Sequence, residues 1–138
     1  MAIAKTDCPI LKGISYEAVK IIPSATGVTS IIPATARVVE IQANTVGVND
    51  WIYLPDIAKV ANGNTIMIIG NSAGFEVRTP ASSNTKVNNV DADGGGAEYT
   101  FAAGYQIHYF TKITDAIGWE AHGFTAIGAA VTAVQPDA

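Results

Sequence analysis

Cysteine, charge and long apolar runs are all scarce in this chain. Cys8 is the only cysteine. That excludes an intrachain disulfide and a thiolate metal cage, and it is compatible with a reducing cytoplasm. Charged residues make up only 14% of the sequence, 12 acids against 8 bases for a net charge of −4, and both signs are scattered. Nucleic-acid affinity is drawn from clustered Lys and Arg that neutralise phosphates, so the absence of any such cluster predicts no nucleic-acid partner. The first ten residues hold no apolar stretch of signal-peptide length. The longest weakly charged run, Phe124 to Val134, is far short of the about 20 apolar residues that cross a bilayer. The expectation is a soluble chain with no membrane partner that is not exported by the common route. Helical patterning is scarce too: Pro55 to Ala61 spans a turn or two before Asn62-Gly63 interrupts it, too short for an independent helix.

What the sequence does contain is strand signal. Its 138 residues are 49% hydrophobic, enough to bury one core without staples and too apolar for a disordered tail. Runs rich in Val, Ile, Thr, Tyr and Phe recur between short Gly, Pro, Asn and Ser clusters: 17–22, 36–42, 51–54, 65–69, 74–79, 97–101, 105–112 and 118–124. Alternation is clean in several of them. Phe75 and Val77 oppose Glu76 and Arg78; Ile107 and Tyr109 oppose His108 and Phe110; Trp119 and Ala121 oppose Glu120 and His122. Thr65-Ile-Met-Ile-Ile69 is nearly all apolar, as in a strand buried on both faces. Short strands at this spacing, without helical crossovers, predict an all-β fold: an antiparallel β-sandwich or small barrel, jelly-roll-like. Residues 36–124 form the β domain in this reading. Residues 1–35, with three prolines, and 125–138, mostly Ala, Thr, Val and Gly, are extended segments placed to dock on a neighbour or to lie as surface loops.

Several constellations invite a chemical reading. Gly70-Asn-Ser-Ala-Gly74 fits the G-x-S-x-G elbow of serine hydrolases, and Asp115 and His122 follow Ser72 in a permissive order. The elbow must enter a helix, whereas here Phe75 to Thr79 alternates as a strand and stops at Pro80. The segment therefore reads better as a hairpin loop whose glycines supply positive φ. Asn88-Asn-Val-Asp-Ala-Asp-Gly-Gly-Gly96 opens like a calcium loop, but the fifth and twelfth positions from Asp91 are Gly95 and Ala102, which supply no side-chain oxygen. A looser site on Asp91 and Asp93 stands against a solvated turn. The glycine triplet does not follow a strand-to-helix pattern, so it is no phosphate cradle. Glu120 and His122 share a strand face that His108 would have to join to make a metal or acid–base cluster; an exposed polar face is the plainer account. Trp51, Tyr53, Tyr99, Tyr105, Tyr109 and Trp119 are the aromatics open to a sugar-stacking role, each in a run where core packing is the ordinary use. No catalytic residue, metal ligand or cofactor site is assigned, and the chain reads as a structural protein.

One series of segments carries a resemblance. Asp50-Trp-Ile-Tyr-Leu-Pro55, Thr65-Ile-Met-Ile-Ile-Gly-Asn71, Phe75-Glu-Val-Arg-Thr79, Asn88-Asn-Val-Asp-Ala92, Tyr99-Thr-Phe-Ala-Ala-Gly104 and Trp119 occur in an order that resembles the head decoration, or cement, proteins of tailed phages. The resemblance covers about half the chain. It implies a virion protein on the outer capsid surface, without catalysis or cofactor, that binds the major capsid protein, self-associates as a homotrimer and stabilises the shell. The same β modules occur in fibres, so a virion-associated carbohydrate-binding module is the alternative, and a small serine hydrolase using Ser72 the remote one.

Overall fold

The computed structural model describes residues 17–24, 30–42, 50–70, 74–80, 85–92 and 99–131. Among the described residues ten strands and one short 3-10 turn follow one another: β1 (Glu17–Ile21), β2 (Ala36–Ile41), β3 (Trp51–Tyr53), the turn Ile57–Lys59, β4 (Thr65–Gly70), β5 (Phe75–Arg78), β6 (Lys86–Val87), β7 (Val90–Asp91), β8 (Tyr99–Phe101), β9 (Gln106–Thr114) and β10 (Gly118–Thr125). They form two sheets, one ordered β1-β2-β4-β9-β10-β6-β7 and the other β3-β5-β8. The inner faces share one hydrophobic core. Val39, Ile41, Ile66, Ile68, Phe110, Trp119 and Ala121 of the large sheet meet Ile52, Phe75, Val77, Tyr99 and Phe101 of the small one. The chain is thus an all-β sandwich, as expected. Among the described residues no helix is long and apolar enough to cross a membrane.

The strand directions depart from the antiparallel expectation. β4–β9, β9–β10, β5–β8 and β6–β7 are antiparallel, but β1–β2, β2–β4, β3–β5 and β10–β6 run parallel. Parallel neighbours need a long return path, which helices usually provide. Here the return is made by strands of the opposite sheet: β3 lies between β2 and β4 in sequence, and β4 between β3 and β5. Between β1 and β2 the chain likewise crosses to the small sheet, where Ser24 and Ile31 bridge to Trp51 and Tyr53. The chain coils back and forth between two sheets, so parallel pairs arise without a helix.

The described residues nearest each end are tied into the rest of the chain. β1 belongs to the large sheet, and residues 24 and 31 to the small one, so the described part of the 1–35 segment is integral to the sandwich. At the other end Gly128 N–H donates to Thr125 O (2.9 Å), Thr125 N–H to Ala129 O (2.9 Å) and Val131 N–H to Gly123 O (2.8 Å), folding residues 125–131 back along β10. Residues 1–16 and 132–138, with Cys8, lie outside the described residues.

The β6–β7 hairpin shows how locally the turns are encoded. Asn88 and Asn89 both have positive φ (52° and 65°), the mirror-image turn that matches strand twist and that Asn tolerates. The Asn88 side chain then extends the sheet. Its Oδ1 accepts from Ala121 N–H (2.7 Å) and its Nδ2 donates to Ala121 O (3.2 Å), while its own N–H donates to Trp119 O (2.8 Å). Asn88→Ala loses two hydrogen bonds and gains αL strain, so we expect a loss of about 2–3 kcal/mol, read as a lower urea midpoint with unchanged slope.

Candidate interaction surface

The feature that stands out is the outer face of the large sheet. Register alone lines up two rows across five strands: Ala18–Val38–Met67–Tyr109–His122 and Lys20–Glu40–Ile69–Ile107–Phe124. The centre of both rows is apolar. Thr65 and Thr111 bond to each other through their hydroxyls (2.8 Å) beside Met67 and Tyr109, and an exposed Lys20–Glu40 ion pair (3.4 Å) closes the opposite rim. A sheet with one solvated face ordinarily alternates to polar residues on that face. Here Tyr105 and Tyr109 remain 47% and 39% exposed and Phe124 37%, with Val38, Met67, Ile69 and Ile107 half-buried between them. Two open grooves cut this face, one of about 360 Å³ along Lys20, Val38, Glu40, Ile69 and Tyr105, the other of about 290 Å³ along Arg37, Val38, Asn64, Met67 and Tyr109. Large contiguous exposed apolar patches on soluble proteins are enriched at interaction sites, which makes this face the candidate. Apolar knobs also stand at both ends of β10. Ile117 precedes Gly118, and Ile127, 92% exposed, precedes Gly128; both glycines have positive φ.

This surface corrects one sequence reading: β4 is not buried on both faces. Ile66 and Ile68 point into the core, while Met67 and Ile69 point out. The signal was present in the sequence as an apolar excess, but only the register shows that the outward positions of β2, β4 and β9 coincide.

The histidines part company. Glu120 and His122 point outward from β10, whereas His108 points inward from β9 and is 1% exposed. No three-member cluster forms from them, and among the described residues no group of His, Cys, Asp and Glu is arranged to hold a metal. His108 has its own partners: Tyr99 Oη lies 2.6 Å from Nδ1 and Gln106 Oε1 2.9 Å from Nε2. Gln106 Oε1 can only accept, so Nε2 carries the proton and Nδ1 accepts from the tyrosine hydroxyl. Burial holds the ring neutral, lowering His108 to about 4, and pushes Tyr99 up to about 12. The ring is fixed from the other side by Gly123, where an added Cβ would lie 2.6 Å from Nδ1 and 2.7 Å from Nε2.

The described flanks of the G-x-S-x-G segment lie far from Asp115. Ser72 itself lies outside the described residues, but its flanks are placed. Gly70 pairs with Gln106 at one end of β9, and Asp115 follows Thr114 at the other. At about 3.3 Å per residue these ends are roughly 25 Å apart. Asp115 is instead bound to Lys112 Nζ (2.5 Å). The segment is followed by a strand, as expected, yet it is not a hairpin: β4 and β5 belong to different sheets. Nor do Gly70 and Gly74 have positive φ. They are needed for close approach, since a Cβ would meet the Phe101 ring at 3.0 Å from Gly70 and the Phe101 carbonyl at 2.8 Å from Gly74. Of the candidate calcium ligands, Asp91 ends β7 and Asp93 lies outside the described residues.

Among the aromatics, Tyr99 and Trp119 are buried in the core, and Arg78 covers Trp51 at 4.0 Å from the ring centroid while its guanidinium holds Glu76 (2.6 Å). Tyr53 is half-buried on the small sheet. Tyr105 and Tyr109 are the two exposed on the outer face of the large sheet. Sequence reasoning missed Lys112, which is 3% exposed and donates from Nζ to Ile57 O (2.8 Å) and Val60 O (2.6 Å), tying the 3-10 turn to β9. In comparisons with known proteins, no family model, no curated protein and no solved structure matches the chain.

Proposed function

We propose that the chain is a virion structural protein, a decoration protein that binds the outer surface of a tailed-phage head, self-associates as a homotrimer and stabilises the shell without turnover. The observation that carries this reading is the apolar outer face of the large sheet, built on rigid strands and flanked by the exposed Ile117 and Ile127 knobs. A surface of this kind suits a partner that is itself protein. Binding is dominated by a few buried aromatic and apolar anchors, and Tyr109, Phe124 and Ile69 are placed for that. A cyclic trimer uses two different patches on each subunit, and the β10 knobs and the sheet face are two such patches. The major capsid protein is the partner proposed for whichever surface the trimer leaves open.

The test is light scattering over a dilution series, followed by sedimentation with undecorated heads of the parent phage. A species about three times the 14.3 kDa chain that pellets with heads is expected. Tyr109→Glu and Ile69→Lys, both on the outer face, are expected to weaken association at least tenfold while leaving the unfolding transition within about 1 kcal/mol of the parent. A persistent monomer that also fails to pellet overturns the reading. The exposed Tyr105 and Tyr109 are the one observation favouring a carbohydrate-binding module instead, and glycan binding lost in Tyr105→Ala would establish it.

A further inference from the structure

The core holds a polar cluster that the proposed function does not use. Tyr99 comes from the small sheet, while His108 and Gln106 come from the large one, so the hydrogen bond from Tyr99 to His108 spans the sandwich. The imidazole is packed tightly on every side. Phe101 lies 3.9 Å away centroid to centroid, Tyr99 meets it edge-on at 5.4 Å, Ile68 is its register neighbour on β4, and Gly123 closes the β10 side. Among these groups Tyr99 is the only other one that titrates. Glu120 and His122 of β10 point to the opposite face of the sheet, although His122 borders a cavity of about 100 Å³ that Tyr99, Gly123, Ala130 and Val131 also line.

We infer that Tyr99, His108 and Gln106 form an acid-sensitive latch between the two sheets, closed while the imidazole is neutral and released when it takes a second proton. In the closed state each ring nitrogen has one suitable partner: Nε2–H donates to Gln106, and Nδ1 accepts from Tyr99. A second proton turns Nδ1 into a donor. Tyr99 Oη must then accept, its own proton loses its acceptor, and a cation stands among Phe101, Ile68 and the Tyr99 ring, with no carboxylate among the described residues that pack on it. An unpaired buried charge of this kind is strongly unfavourable. Opening the sheet interface lets water reach the ring.

The direction follows from linkage. The unfolded chain protonates this histidine near pH 6.5, while the folded chain resists until about 4. The latch therefore contributes fully above pH 6.5, its contribution falls as the pH drops from 6.5 to about 4, and it levels off below. The unfolding constant rises about 300-fold from this group alone over that range.

Urea unfolding followed by tryptophan fluorescence between pH 7 and 3.5 tests this on the full chain, comparing the parent with His108→Gln and His122→Gln. Comparing the three isolates the part of the pH dependence that belongs to each histidine. The expected result is that His108→Gln loses most of the acid-induced rise in the unfolding constant, whereas His122→Gln keeps it. In parallel, the His108 ring signals of the parent are followed by NMR, which decides the matter even if His108→Gln does not fold. A ring that stays neutral in the folded protein to well below pH 5.5 supports the latch. A ring that titrates at 6.5 or above, or a His108→Gln variant with the parent's pH dependence, overturns it.

Discussion

Replacing Gly118 with alanine is expected to cost about 4 kcal/mol and to lower Tm by roughly 15 °C. Two effects add at this position. Its φ is +92°, a region that costs an L-residue about 1–2 kcal/mol. The added Cβ would also collide with the carbonyl oxygen of Lys86 and stand 3.0 Å from that residue's N and C atoms. These are backbone atoms of β6, so no side-chain rotation relieves the contact. The only escape is to push β6 away from β10, which sacrifices the Trp119–Val87 pairing and the Asn88 bonds to Trp119 and Ala121. Gly128→Ala separates the two effects. Gly128 has a similar φ of +79° with nothing within 4 Å of a Cβ, so it carries the backbone term alone, about 1 kcal/mol. Thermal unfolding of the two variants decides the point: equal losses would mean that the approach of β6 to Gly118 is unimportant.

Lys112→Met is the second large effect, an expected loss of about 3 kcal/mol. Methionine retains most of the apolar stem but has no donor, so the carbonyls of Ile57 and Val60 lose the ammonium that satisfies them. The main-chain bonds that remain, Gly63 N–H to Lys112 O (2.8 Å) and Lys112 N–H to Asn64 O (2.9 Å), tie the segment after the 3-10 turn to β9 rather than the turn itself. The ion pair is the minor part. Asp115 is 68% exposed, and exposed partners contribute little. Asp115→Asn is therefore expected to cost under about 1 kcal/mol, and urea midpoints of the two variants should differ clearly. A loss in Asp115→Asn as large as that in Lys112→Met would relocate the stabilisation from the carbonyls to the ion pair.

Both effects arise where strands far apart in sequence meet, and neither Gly118 nor Lys112 carries a distinctive local pattern. Lys112 sits in an alternating run whose inward members are Gln106, His108, Phe110 and Lys112. Alternation placed His108 and Phe110 on one face, opposite Ile107 and Tyr109. It could not show that the face is internal for a lysine, because the compensating carbonyls come from residues 57 and 60, more than fifty positions earlier. The same limit explains His108. Its side of β9 was legible, but its partner Tyr99 sits on the opposite sheet, so a buried neutral imidazole and an exposed metal ligand read alike. The G-x-S-x-G segment was correctly followed by a strand. Its glycines, however, answer to the ring and carbonyl of Phe101, a contact no local spacing encodes.

By itself the sequence determined the all-β class, most strand positions and which residues of several alternating strands share a face. Those properties depend on a period of two along a single segment and on nearby Pro, Gly and Asn. Tertiary structure decided the rest: which strands run parallel, that β4 has an exposed face, and that Val38, Met67, Ile69, Ile107, Tyr109 and Phe124 come together into one apolar surface. The reason is physical. Register and direction are set by which distant segments bury their apolar faces against each other, and that choice is a property of the whole core rather than of any one strand.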